Sequence, residues 1–331
     1  MNAEVPKKGQ DARNVPGAVS TSPAQPKDET YPIMKSSLPC LAALFLALAS
    51  ASAADAVNPP APLTLKLWPE GAPGKMAAPS QKTLRLIEAS KAKAISNVTD
   101  PDITIYQPEH TTGTSVIVAP GGGYHCLVMG NNGTEPCAWL NSLGLTAILL
   151  KYRTPTRDEA NPSEKPSADA LRAIGLVRHH ASEWGLDPRR VGLLAFSAGG
   201  TMLGHVACDR GPRSYEFNPQ FDDIRGPDFG IMAYGGGFLD KDDKTKFKAG
   251  ISVPADAPPM FFASANDDKI ADPQDVTMLY LEYQKRGIPT ELHIYAKGGH
   301  GFGVKQGPLP VHTWTQRCAE WMVAMGFLPK P

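Results

Sequence analysis

One stretch constrains this chain more than any other: Val191-Gly192-Leu193-Leu194-Ala195-Phe196-Ser197-Ala198-Gly199-Gly200. Its first six residues form an unbroken apolar run with no polar face, the pattern of a strand covered on both sides, as in a parallel sheet. It then reaches a serine set among very small residues and opens into a helical pattern. A sharp strand-to-helix turn at a serine holds that residue in a strained backbone conformation, and bulky neighbours would collide there. The usual spacing is Gly-x-Ser-x-Gly, and here Ala195 stands at the first glycine position. Alanine adds only a methyl group, so the reading stands. Ser197 is therefore a candidate nucleophile at the end of a buried parallel strand.

Parallel strands need crossover connections, and the rest of the chain supplies them. Leu63–Trp68 alternates like an edge strand, as does Asp102–Tyr106, and Thr114–Ala119 is a continuous β-branched run. A helix is predicted from Thr134, read as its N-cap, to Leu143, with Glu135 and Pro136 in its first turn. A strand follows at Leu145–Lys151. Ala170, Ile174, Val177, Ala181 and Trp184 recur at helical spacing up to the stop at Gly185. Beyond the serine the pattern predicts a helix to Cys208 and strands at Phe229–Tyr234, Met260–Ala265 and Glu291–Tyr295. Helices are marked by Val276, Leu279, Tyr280 and Tyr283, and by Trp314, Cys318, Trp321, Met322 and Met325. Such alternation predicts a mostly parallel central sheet with helices on both faces. The long irregular stretches Arg210–Gly226 and Gly235–Pro259 are candidate lids or substrate walls.

The first part of the chain reads differently. Residues 1–33 are polar and rich in Pro, Lys, Ser and Gln, a composition that builds no core. Met34-Lys35, the apolar run Leu38–Ala49 and the small residues to Ala54 have the parts of a secretory signal peptide. The run is short for a membrane span. The expectation is that translation begins at Met34, that 34–54 is a leader for export to the periplasm or beyond, and that 55–331 is the functional domain. The 33 basic and 33 acidic residues balance to zero formal charge, so nothing in the charge points to nucleic acid or an anionic membrane as partner, and neither is expected. The five cysteines show neither a Cys-x-x-Cys pair nor metal-ligand spacing; with Cys40 assigned to the leader, Cys126, Cys137, Cys208 and Cys318 read as plain buried thiols, although an oxidising compartment would allow disulfides that the sequence cannot pair.

A serine hydroxyl is a poor nucleophile near neutral pH. It needs a base within hydrogen-bond reach, a group that orients the base, and donors for a developing oxyanion. Among the eight histidines, His300 lies in the loop Lys297-Gly298-Gly299-His300-Gly301-Phe302-Gly303 after the last strand and is the candidate base. The orienting acid is expected just past the preceding strand, where Asp267 and Asp268 stand side by side. Neighbouring residues in a turn point in different directions, so only one can face the histidine. The oxyanion donors are expected at the amide of Ala198 and at an amide of Gly122 or Gly123, in the glycine loop that leaves an early strand. That loop lacks the spacing of a phosphate-binding loop. No metal or organic cofactor is implied. A glycosidase would need two carboxylates facing each other across a sugar cleft, which an adjacent Asp-Asp pair does not provide.

With these parts in order, the sequence resembles secreted α/β-hydrolases of the acetyl xylan esterase type, proteins often labelled as xylanases. The likeness is carried by Pro120-Gly121-Gly122-Gly123-Tyr124, Phe196-Ser197-Ala198-Gly199-Gly200, Asn266-Asp267-Asp268-Lys269 and Gly298–Gly303. It extends to Leu67–Gly74, Ala138–Gly144 and Lys151-Tyr152-Arg153. The resemblance implies an α/β-hydrolase fold, Ser-His-Asp chemistry with Asp268 as the acid, and acylated carbohydrates or other small esters as substrates. Feruloyl esters and a broad carboxylesterase range stay open. A peptidase bearing a β-propeller has no room in 331 residues, and a non-catalytic relative would be expected to lack a member of the triad.

Overall fold

The computed structural model describes residues 62–208, 213–222 and 225–330; the leader read at 34–54 and the segment before it lie outside the described residues. Fourteen elements follow in chain order: β1 Leu63–Lys66, α1 Gln81–Ser90, β2 Asp102–Tyr106, β3 Ser115–Ala119, α2 Glu135–Ser142, β4 Thr146–Lys151 and α3 Glu164–His179. Then come β5 Val191–Phe196, α4 Ala198–Cys208, β6 Phe229–Ala233, β7 Met260–Ala265, α5 Pro273–Lys285, β8 Thr290–Tyr295 and α6 Trp314–Ala324.

The strands form one eight-stranded sheet in the order β1-β2-β4-β3-β5-β6-β7-β8. β1, β2 and β4 pair antiparallel, and every pairing from β4 through β3 to β8 is parallel. The period-two alternation of side chains divides the core in two. Ile117, Ile148, Leu193 and Ala195 face α3, α4 and α5, whereas Val118, Leu149, Leu194 and Phe196 face α2 and α6. Every residue of β3, β5, β6 and β7 is buried, as continuous apolar runs require. β8, at the sheet's edge, is only partly covered.

Three local readings are corrected by the structure. Thr134 does not cap α2: it ends a π-helical turn, Gly130–Thr134, which passes into α2 without a break, and its hydroxyl turns back toward the Met129 carbonyl. The helix before Gly185 ends at His179, so Trp184 lies in the following turn, its ring stacked on His180. α1 has no counterpart in the sequence reading. Only Thr83 of this helix is buried, and Ser80 caps it by accepting the Thr83 amide at 3.2 Å. Cys126, Cys137, Cys208 and Cys318 are buried free thiols, and burial pushes the Cys137 thiol up to about 12.

Candidate active site

β3 lies between β4 and β5, so the chain leaving β3 turns to one side while β5 stands on the other. Loops that diverge in this way leave a crevice beyond the strands' carboxyl ends, the usual ligand site of an open α/β sheet. The glycine loop enters this crevice from β3 and Ser197 enters it from β5. Ser197 takes a left-handed φ of 52°, and its amide donates to the Ala233 carbonyl at 3.1 Å, which fixes the turn. Three of the four non-glycine residues with left-handed φ among the described residues lie at this end of the sheet: Tyr124, Ser197 and Tyr234. Each such conformation costs about 1–3 kcal/mol and persists only where the surroundings over-determine it.

Ser197 Oγ stands 2.8 Å from His300 Nε2, and His300 Nδ1 stands 2.7 Å from Asp268 Oδ2. The Asp268 side chain is fully buried, and its other oxygen accepts the amides of Ile270 at 2.8 Å and Ala271 at 3.0 Å. Its neighbour points elsewhere. Asp267 Oδ1 accepts the amides of Gly298 at 2.9 Å and Gly299 at 2.8 Å, the two residues before the histidine. The Gly299 amide foremost, then that of Gly298, holds the Asp267 carboxyl below the usual carboxylate range. One carboxylate thus aims at the imidazole while the other ties down the loop that carries it. Apart from the pair itself, nothing in the sequence signals this second role.

The glycine loop is held from behind along its whole length. Tyr152 Oη donates to Pro120 O at 2.7 Å, and the Val128 amide donates to Gly121 O at 3.0 Å. The amides of His125 and Cys126 reach Gly122 O, Arg157 donates to Gly123 O at 3.0 Å, and the amides of Thr156 and Arg157 converge on Tyr124 O. In a trans peptide the N–H points opposite to the C=O. Anchoring each carbonyl therefore fixes the direction of the amide that follows it. The amides of Gly122, Gly123 and Ala198 donate to no protein acceptor among the described residues, as groups reserved for a ligand would. A side chain at Gly122 is excluded, since its Cβ would lie 2.1 Å from Cys126 O. Tyr152 and Arg157 were not singled out from the sequence as supports. The Lys151-Tyr152-Arg153 motif was the only signal for Tyr152, and Arg157 had none.

Arg153, next in that motif, is almost wholly buried against Asp169, which has no exposure; Nη2 lies 2.8 Å from Oδ1. Asp169 also accepts the Trp68 indole N–H at 2.8 Å and the Arg153 amide at 2.9 Å, while Arg153 reaches the Pro73 and Lys165 carbonyls. This cluster joins the Leu67–Gly74 segment to the strand end that supports the glycine loop.

Behind His300 lies a further layer. The Tyr234 ring meets the imidazole edge-on, with centroids 5.0 Å apart, and Asn132 Nδ2 donates to the Tyr234 hydroxyl at 2.9 Å. Asn131, one residue earlier in the π-helical turn, donates to Gly301 O at 3.0 Å. No group of three or more His, Cys, Asp or Glu side chains among the described residues is placed to hold a metal ion.

No protein-family model matches the chain. It is 28% identical over 235 residues to an acetylxylan esterase of Xylanibacter ruminicola, a match covering 67% of this chain and 46% of that protein. The chain therefore spans about half the length of that curated relative. Among solved structures it resembles an acetyl ester-xyloside bifunctional hydrolase from Caldicellulosiruptor lactoaceticus, with 27% identity and a TM-score of 0.62, covering 80% of this chain and 97% of the other. It also resembles an α/β hydrolase from a Medee basin deep-sea metagenome library, at 18% identity and a TM-score of 0.56, covering 70% of this chain and 96% of the other; that likeness bears on the fold alone. The chain has the α/β-hydrolase fold.

Proposed function

We propose that this chain is a carboxylic ester hydrolase that removes small acyl groups, acetyl foremost, from plant polysaccharides or their oligosaccharides such as acetylated xylan. The observation that carries the reading is the unbroken hydrogen-bonded line Ser197–His300–Asp268 at the carboxyl end of β5, beside the Gly122 and Gly123 amides, which have no acceptor among the described residues. The 28% identity to an acetylxylan esterase and the 27% identity to an acetyl ester-xyloside hydrolase support the substrate class.

In this reading Ser197 Oγ attacks the ester carbonyl as His300 Nε2 accepts its proton. Asp268 holds the imidazole with Nδ1 protonated and stabilises the imidazolium that forms. The oxyanion sits against the amide of Ala198 and that of Gly122 or Gly123. His300 then gives that proton to the departing sugar oxygen as its bond to the acyl carbon breaks, releasing the free hydroxyl and leaving an acyl group on Ser197. A water deprotonated by the same histidine releases the acid. Residues 55–331 form the hydrolase domain, and the leader at 34–54 delivers it to where polymeric substrate is met.

The test is turnover of p-nitrophenyl acetate and of acetylated xylan by the wild type and by Ser197→Ala, with mass spectrometry after exposure to a serine-directed organophosphate. The expected result is an adduct on Ser197 and loss of nearly all turnover in the variant, with its circular dichroism unchanged. Full activity in Ser197→Ala refutes the assignment. A panel that adds feruloyl esters and other acetylated glycans decides the substrate; preference for feruloyl esters would replace the acetyl reading.

A further inference from the structure

The residue that follows β6 has no part in the proton relay, yet its placement is costly. Tyr234 is fully buried and takes a left-handed φ of 42°. Its backbone is pinned on both sides: its own amide donates to Ala263 O on β7 at 2.8 Å, and the carbonyl of the preceding Ala233 accepts the Ser197 amide. The strain serves to turn the ring out of the sheet and toward the crevice. There it meets His300 edge-on at 5.0 Å and Phe302 at 4.5 Å, so the ring sits between two residues of the base-bearing loop. Burial pushes the phenol well above its ordinary value, so it stays neutral and serves as a hydrogen-bonding group.

The hydroxyl faces the Gly303 backbone amide and one buried side chain. Asn132 is buried, and its Nδ2 donates to Tyr234 Oη at 2.9 Å. The other end of the same amide faces the glycine loop: a Cβ on Gly121 would lie 2.9 Å from Asn132 Oδ1 and 2.8 Å from Ser197 Cβ. Asn132 therefore stands where the glycine loop, the nucleophile turn and the tyrosine behind the base come together. It is carried there by the π-helical turn Gly130–Thr134, which also lets Asn131 grip the Gly301 carbonyl next to His300. An inserted π turn re-aims side chains that a regular helix would place elsewhere, and such turns recur at functional sites.

We propose that Asn132 and Tyr234 are a pair of positioning residues, joined through the tyrosine hydroxyl, that sets the ring of His300 relative to Ser197 and the glycine loop. Neither touches the reacting atoms. The inference rests on the Ser197–His300–Asp268 reading of the site. If the pair acts through one hydrogen bond, breaking it from either side is the same perturbation, and a double change adds nothing further.

The experiment compares Tyr234→Phe, which keeps the ring and removes the hydroxyl, with Asn132→Ala and with the double variant. Misplacing a catalytic base by a fraction of an ångström costs about 10-fold or more in turnover, since a 1 Å error costs about 100-fold. The expected result is a fall of that size in kcat per titrated site for each single variant on p-nitrophenyl acetate, with KM within about twofold and the double no worse than the poorer single. In parallel, the low-field NMR resonance of the His300 Nδ1 proton is followed against pH, a readout that does not depend on ester turnover. Its shift and titration midpoint are expected to move together in both single variants. A merely structural pair would lower the melting temperature and leave both readouts at their wild-type values, which would overturn the proposal. Losses that multiply in the double variant would overturn the pairing. Absence of organophosphate labelling at Ser197 in the wild type would refute the esterase reading instead, and the NMR readout would still decide the pair.

Discussion

Gly121 offers a quantitative test of how closely the glycine loop and the nucleophile must fit. It has no left-handed φ, so replacing it by alanine brings no backbone penalty of that kind. What the replacement brings is a methyl carbon 2.8 Å from Ser197 Cβ, 2.9 Å from Asn132 Oδ1 and 3.0 Å from Phe196 O. Carbon atoms settle at about 3.5–4.0 Å, so the loop and the serine must part by roughly 0.7 Å or more. None of the three obstacles is the free end of a flexible chain. Phe196 O belongs to the buried strand, and the Asn132 amide is held by Tyr234. Overpacking of this kind costs about 1–3 kcal/mol of stability. The larger effect falls on the reaction, because a misplacement near 1 Å between attacking group and oxyanion donors lowers turnover about 100-fold. Gly121→Ala is thus expected to fold, to melt a few degrees lower, and to lose about 10- to 100-fold in kcat on p-nitrophenyl acetate, measured per site titrated with an organophosphate. Gly287→Ala is the control: φ there is 69°, nothing lies within 4 Å of the new methyl, and the position is remote from Ser197 in the fold. It is expected to cost stability of about 1 kcal/mol and no kcat. Wild-type kcat in Gly121→Ala would refute the view that the loop and the serine are fitted to each other at this distance.

Asp268→Asn should lower kcat by about 10⁴, the loss expected when a base keeps its place but takes the wrong tautomer, whereas Asp267→Asn should cost far less and raise the mobility of Gly298 and Gly299 in amide exchange. Because the Asp267 carboxyl is held below its ordinary range, its grip is complete above the unfolded value near 3.8 and is lost as pH falls through the lower folded value; those two amides should stay protected through mild acid and be released only below it. Asp169→Asn leaves the buried Arg153 guanidinium without its counter-charge and should cost about 3–5 kcal/mol in denaturant unfolding, while Asp100→Asn, whose salt bridge to Lys66 is exposed, should cost less than about 1 kcal/mol.

The buried strands were legible because each is a short run of apolar residues between clear breaks: β2 and β7 fall at the residues read from the sequence, 102–106 and 260–265. Their alternation with helical patterns was enough to specify a mostly parallel sheet. Ser197, His300 and Asp268 were legible as candidates because each stands at the end of such a run, and the structure brings the three into one hydrogen-bonded line. The supports were not. Tyr152, Asn132 and Tyr234 act through contacts with Pro120, Tyr234 and His300, which lie 32, 102 and 66 positions away, and no periodicity records such a pairing. Two weak signals were present. Tyr234 stands directly before Gly235-Gly236-Gly237, a second glycine triplet at a strand end, and Asn131-Asn132-Gly133 breaks the helical pattern where the π-helical turn lies. The misread cap at Thr134 has the same origin, since a threonine before an acidic residue and a proline is written alike whether it caps a helix or closes a π turn.

The two halves of the site differ in what holds them. Ser197 and the glycine loop leave β5 and β3, which have strand neighbours on both sides, while the His300 loop leaves β8, which has one neighbour and is partly open to water. Edge elements open more readily than central ones. On warming, this site should come apart from the histidine side, with the serine and its donors still in place. Seen this way, the Asp267 clamp on Gly298 and Gly299 is a fastening placed where the sheet itself is weakest, and it ties the working life of the site at high temperature to one carboxylate that takes no part in moving the proton.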